Sequence, residues 1–160
     1  MELKRVVVTG LGMVTPLGND VTTTWENLLA SKSGAGEITH FDASKFKTQF
    51  ACEVKDLDVS PLFDPKELRR YDRYVHLAIH SAEQAIQDAG IQMENEDPLR
   101  CGVIYGSGMG GVHTLDVNIG AYATGDGTPR YSPFYIPMVI TNMACGMIGL
   151  RYGFRGVNYA

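Results

Sequence analysis

Apolar residues along this chain recur with several distinct rhythms. From Val75 to Ala89 they fall three and four apart, at Val75, Ala78, Ile79, Ala82, Ala85, Ile86 and Ala89, which is the spacing of one helix face. Asp72 stands before this run as a candidate cap, and Gly90 after it as a stop. The many alanines predict close contact with a sheet or another helix. A second rhythm is the short continuous apolar run. Arg5 to Thr9 (RVVVT) and Cys101 to Tyr105 (CGVIY) each read as a buried strand, and Phe50 to Val54 is a further short candidate. A third is apolar on nearly all sides: Met138 to Leu150 predicts a helix buried against protein.

Polar residues and glycines mark the boundaries. Asp20 or Thr22 can cap a helix through Trp25, Leu28 and Leu29 that stops near Ser31 to Gly36. The stretch from Gly34 to Lys47 reads as surface connection. Asp64-Pro65-Lys66-Glu67 is a clean helix start, with Asp as cap, Pro at the first helical position and Glu at the third. Ile91 to Arg100 is an acidic connection. Gly106-Ser107-Gly108-Met109-Gly110-Gly111 follows the Cys101 strand and precedes a helix over Val112 to Ala123. Thr124 to Pro133 is a loop, and Arg155 to Ala160 runs toward another strand. Strands alternating with helices through long crossovers predict an α/β fold with part of its sheet parallel. With no helix after the last predicted strand, the chain is expected to be cut rather than finished.

A net charge of −4 provides no general attraction to nucleic acid or to an anionic membrane. An acidic partner would have to meet a local basic patch. No apolar run has the length of a membrane span, and Met1 to Arg5 lacks a signal peptide's apolar core, so the cytoplasm is the expected location. Cys52, Cys101 and Cys145 are odd in number and widely spaced, which suggests buried thiols and neither a disulfide framework nor a zinc site. His76 and His80 are four apart on a predicted helix, but no HExxH pattern accompanies them. No metal and no cofactor are expected.

The glycine loop at 106–111 has two competing readings. It could cradle a phosphate, or it could form the wall of a pocket for a long apolar group, with Met109 as its one large side chain. A dinucleotide fingerprint wants an acidic residue ending a second strand about 20 residues on. Here that place holds Asp126, inside a Gly/Thr loop. Val6 to Gly12 also resembles a nucleotide-binding opening, but Pro16 falls where its helix should be established, and position 30 is Ala30. The pocket wall is the better reading.

Several motifs in order resemble the β-ketoacyl-ACP synthases of the elongating type II kind. They are Arg5 to Asn19 (RVVVTGLGMVTPLGN), Trp25 to Ala30 with Ser33-Gly34, Phe41-Asp42, the loop from Gly106 to Gly111, Ser132-Pro133-Phe134, Asn142-Met143-Ala144 and Arg151-Tyr152-Gly153. The resemblance runs from Arg5 to Ala160 without a large gap. It implies the N-terminal part of a thiolase-like fold, α/β/α/β/α in layers and incomplete here. It also implies a homodimer and a decarboxylating Claisen condensation between an acyl group on a cysteine and malonyl-ACP. That chemistry needs an activated thiolate, an oxyanion site and histidines.

By the same resemblance, residues 1–160 are part of the synthase N-terminal domain, truncated before the catalytic cysteine, and contain no catalytic residue. Cys145 falls where relatives usually have a small residue and is not the nucleophile. The isolated chain is expected to be inactive and, with the apolar Met138 to Leu150 helix uncovered, poorly soluble or loosely packed. The resemblance places Gly108, Met109, Phe134, Tyr135 and Ile136 at an acyl pocket, with Met109 limiting its depth. It places Lys66, Arg69, Arg70 and Arg130 against the acidic acyl carrier protein, the first three on one helix face. No nucleic acid and no membrane are implied as partners. A non-catalytic partner subunit, similar to a chain-length factor, shares this N-terminal pattern and is the alternative.

Overall fold

A computed structural model describes residues 4–160, which form two compact units. The first comprises the residues up to Asp58 together with Glu83–Gly90. Its first helix, α1 (Val21–Leu29), is capped by Asp20, whose side chain accepts from the Thr23 amide at 2.7 Å and the Thr23 hydroxyl at 2.7 Å. Those bonds hold the Asp20 carboxyl below the usual carboxylate range. Two short strands, β1 (Gly36–Glu37) and β2 (Phe50–Ala51), pair antiparallel, so the predicted surface connection contains one strand.

The Arg5 to Thr9 run is not a strand. It has no regular structure, and Val6 is 89% exposed. β-Branched residues make a strand only where a neighbour completes the ladder, and no described residue pairs with these. The loop that follows takes its hydrogen bonds from side chains. The Leu11 amide donates to Asp88 at 2.8 Å and the Met13 amide to Gln84 at 3.2 Å. Gly10 lies against the last turns of α3 (Arg73–Ala89), where a Cβ would stand 2.3 Å from the Ala85 carbonyl oxygen. That glycine allows contact with a helix, not with a phosphate.

The second unit holds Val59–Ala82 and Ile91–Ala160. A complete capping box opens α2 (Pro65–Leu68): Asp64 accepts from the amides of Lys66 and Glu67, and Glu67 reaches back to the Asp64 amide. The first half of α3 follows, burying Val75, Ala78 and Ile79 as its spacing predicts. Two 3-10 turns, Met93–Asn95 and Pro98–Arg100, form the acidic connection. Then come β3 (Val103–Ile104), α4 (Val112–Thr124), α5 (Tyr135–Val139), α6 (Met143–Tyr152) and β4 (Asn158–Tyr159). β3 and β4 are parallel, with Val103 opposite Asn158 and Ile104 opposite Tyr159. Of the predicted buried strand, Val103 is buried and Tyr105 packs partly buried against the core, while Ile104 is 80% exposed.

The core of this unit joins Phe63, Val75, Ala78, Ile79, Val103, Ala144, Cys145 and Ile148. Fully burying side chains such as Val75 and Ile79 stabilises a fold by about 1.5–3 kcal/mol each. The Asn158 side chain donates to the Cys145 carbonyl at 2.9 Å, tying β4 to α6. The apolar Met138 to Leu150 stretch is two helices rather than one. Ile140 is extended (φ −69°, ψ 135°), and its carbonyl accepts from the Tyr74 hydroxyl. Within α6 the burial is one-sided: Cys145 and Ile148 are inside, while Leu150 is exposed. Gly153 closes α6 in the left-handed region at φ 75°.

Candidate functional site

The loop between β3 and α4 has unlike halves. At Gly106 and Gly108 an added Cβ would meet nothing within 4 Å. At Gly110, in the left-handed region with φ +66°, a Cβ would lie 2.3 Å from the Val139 carbonyl oxygen, and at Gly111 2.0 Å from that of Met138. The second pair of glycines therefore lets the loop lie directly on the backbone of α5. The Gly111 amide donates to the Val139 carbonyl at 3.3 Å, and the Gly110 amide to the Ser107 hydroxyl at 3.1 Å. Between the open and the seated halves stands Met109, 70% exposed.

Helix α4 begins at a residue that cannot cap it. Its N-cap is Gly111, which offers no side-chain oxygen. Asp72 does this from 42 positions away, accepting from the Thr114 amide at 3.0 Å and the Thr114 hydroxyl at 2.6 Å. Thr114 is the third residue of the helix, whose N–H an N-cap side chain ordinarily takes. The carboxylate also stands at the positive end of the helix dipole. Asp72 is 7% exposed. The sequence marks Asp72 as a cap for α3, and its carboxylate also receives the Tyr74 amide at 3.4 Å. Its second helix is invisible without the fold.

The neighbours of Asp72 hold α5. The Arg70 guanidinium lies 5.2 Å from the centre of the Phe134 ring, at the start of α5. The Tyr74 hydroxyl bonds the Ile140 carbonyl at its end. Burial, with the charge of Asp72 adding to it, pushes the Tyr74 phenol up to about 12, so it remains a donor at neutral pH. Sequence reasoning missed both Tyr74 and Thr114.

Tyr135 is half-buried, its ring 5.0 Å from that of Tyr131, while Phe134 and Ile136 are exposed. A cleft of about 320 Å³ is bounded by Gly149, Leu150, Phe154 and Asn158, and a smaller one of about 90 Å³ by Asn118, Tyr122, Arg130 and Tyr131. Neither is lined by Gly108, Met109, Phe134, Tyr135 or Ile136. These five lie on the glycine loop and at the start of α5.

Lys66, Arg69 and Arg70 are exposed, but they do not share one helix. α2 stops at Leu68, Arg69 is its C-cap and Arg70 lies in the next turn. The capping box starts a helix that α3 replaces almost at once. Arg130 pairs with Asp126 at 2.7 Å. Hydrogen bonds from Thr128 and from Arg130 hold the Asp126 carboxyl below its usual range, so this arginine brings little free positive charge.

Of the histidines, His76 stands edge-on to Phe63 at 4.9 Å. Burial pulls its imidazole below the ordinary value, against the opposing charge of Asp72. The Cys145 thiol is buried and donates to the Asn142 carbonyl at 3.0 Å, the arrangement of a structural thiol. Among the described residues no group of His, Cys, Asp and Glu is assembled to hold a metal ion, and no helix is long and apolar enough to cross a membrane.

Comparison with known proteins bears on the whole chain. The family model for the beta-ketoacyl synthase N-terminal domain matches residues 3–160. A 3-oxoacyl-[acyl-carrier-protein] synthase 2 of Coxiella burnetii (strain RSA 493 / Nine Mile phase I) is 47% identical over 158 residues, covering 99% of this chain and 38% of that protein. Among solved structures, the ishigamide ketosynthase/chain length factor superposes with a TM-score of 0.85 at 24% identity, covering 96% of this chain and 38% of that one. The complex of the type II PKS acyl-carrier protein AntF with its ketosynthase AntDE superposes with a TM-score of 0.77 at 24% identity, covering 96% and 40%. The chain thus spans 38% of the length of the curated relatives it matches.

Proposed function

Because the chain belongs to the β-ketoacyl synthase family, whose N-terminal domain it matches over residues 3–160, we propose that the protein carrying it is a 3-oxoacyl-ACP synthase of type II fatty-acid synthesis. Its fold is the N-terminal part of the thiolase-like α/β fold of ketosynthases. The observation that carries the assignment is the 47% identity, across 99% of this chain, to a protein named for that activity.

The reaction is a decarboxylating Claisen condensation. An acyl group waits as a thioester on an enzyme cysteine. Malonyl-ACP loses carbon dioxide, and the electron pair of the broken C–C bond attacks the thioester carbonyl. The C–S bond then breaks, the thiolate leaves, and a lengthened β-ketoacyl-ACP is released. In this reading the cysteine and its histidines lie in the portion of the protein that follows Ala160, and the 160 residues alone do not condense. This chain supplies substrate handling. Gly108 and Met109 line the acyl pocket and Met109 limits its depth, supported by the open space at Gly108 and the exposed, flexible thioether of Met109. Phe134, Tyr135 and Ile136 line the pocket near the partner subunit of a homodimer. The exposed Lys66, Arg69 and Arg70, with a lesser share from Arg130, meet the acidic carrier protein. The enzyme works in the cytoplasm without a cofactor.

The test is the full-length protein incubated with acyl-ACP and malonyl-ACP. Release of carbon dioxide with formation of β-ketoacyl-ACP is expected, and none from residues 1–160 alone. A full-length protein that condenses only when mixed with a separate catalytic synthase would refute the assignment in favour of a chain-length-factor-like partner subunit.

A further inference from the structure

We propose that Asp72 is a positioning residue for acyl-chain length: its buried carboxylate holds the start of α4 and thereby sets where Met109 stands. This rests on the reading of Met109 as the limit of the acyl pocket. The evidence is in how the glycine loop is anchored. Its last two residues are wedged on the Val139 and Met138 carbonyls, whereas Cβ atoms added at Gly106 and Gly108 would meet nothing within 4 Å. Met109 therefore hangs from the anchored end. The anchored end leads straight into a helix whose own N-cap, Gly111, has no capping side chain. Asp72 supplies the missing cap bond by accepting from the Thr114 amide at 3.0 Å, and it also accepts from the Thr114 hydroxyl at 2.6 Å. It also stands close to the loop itself: a Cβ added at Gly111 would lie 3.2 Å from the Asp72 Cβ.

A charged hydrogen-bond acceptor at a helix N-terminus is both strong and directional. A carboxylate that is 7% exposed cannot exchange these donors for water without a rearrangement of the loop. Flanking contacts from Arg70 to Phe134 and from Tyr74 to Ile140 brace α5, the surface on which the loop rests. Neutralising Asp72 should loosen the first turn of α4, let Met109 swing away and admit longer chains.

The experiment uses the full-length protein and reads kcat/KM for long against short acyl-ACP primers, with a thermal melt alongside. Met109→Ala should raise the long-to-short ratio. Asp72→Asn should raise it by about tenfold, the equivalent of losing one charged hydrogen bond. Thr114→Val should act in the same direction, and Thr114→Ser, which keeps the hydroxyl, should retain the parent ratio. If Asp72→Asn fails to fold, the Thr114 pair carries the same test, because Val and Ser differ from Thr at the bonding group and the methyl separately. The proposal is overturned if Met109→Ala shifts the ratio while folded Asp72→Asn and Thr114→Val leave it unchanged. If Met109→Ala itself has no effect, the pocket reading falls and this proposal falls with it.

Discussion

Replacing Gly111 with alanine probes the most crowded point of the glycine loop. The new methyl would stand 2.0 Å from the Met138 carbonyl oxygen and 2.8 Å from its carbonyl carbon. Real Cβ atoms essentially never come within 3.0 Å, so loop and α5 would have to separate by about 1 Å, the difference between 3.0 Å and 2.0 Å. Both partners are backbone, so no rotamer can absorb the shift. Overpacking of this kind costs about 1–3 kcal/mol, and the displaced Gly111–Val139 hydrogen bond puts this case near the upper end. On the scale of a 150–250-residue domain the melting temperature should fall by about 5–10 °C. Gly108→Ala is the matched control. Nothing lies within 4 Å of its Cβ, so the change should leave the melt in place or raise it slightly, through a stiffer unfolded chain worth about 0.4–1 kcal/mol. Differential scanning fluorimetry on both variants decides the matter. Equal destabilisation by the two, or none from Gly111→Ala, would show that the loop does not rest on α5 as described.

Other consequences follow from the basic turn, the caps and the buried imidazole. Reversing Arg69 and Arg70 to Glu should weaken acyl-carrier binding by about tenfold at low ionic strength and by much less at high salt; unchanged affinity at low salt, measured by calorimetry, would exclude this surface. Asp64→Ala removes the side-chain half of the capping box and leaves the bond from the residue-64 amide to Glu67; it should cost about 1 kcal/mol in denaturant unfolding, with Asp64→Asn restoring part of it. His76 has a folded-state pKa below its ordinary 6.5, so its contribution to stability is full above that value and is lost as pH falls from there through the folded pKa. The melting temperature should drop as pH is lowered below about 6.5, and His76→Phe should flatten that drop; parallel pH dependence in the variant would assign the loss to other groups.

Local chemistry made much of the chain readable. Asp20 before α1, the Asp64 to Glu67 box before α2, the apolar spacing of α3 and the Gly90 stop all act through neighbours within one or two helical turns. The structure places these where the spacing puts them. The failures share a different cause. Val6 to Val8 have strand composition, but a strand needs a partner that no adjacent residue can supply. Met138 to Leu150 have a helix's apolar content, yet Ile140 is extended and bonded to Tyr74, a residue far away in sequence. Lys66, Arg69 and Arg70 have helical spacing, but α2 ends at Leu68, before the second and third, and α3 starts only at Arg73.

The candidate site divides along the same line. That Met109 sits in a glycine loop between a strand and a helix was legible in residue order, because glycine's conformational freedom is an intrinsic property. So was the family, whose motifs lie in order along the chain. Which glycines are open and which are wedged, and that Asp72 caps a helix 42 residues away, depended on how the chain closes on itself. Caps and periodicities are settled by energies between neighbours, whereas a long-range hydrogen bond exists only once folding has brought its donor and acceptor within about 3 Å.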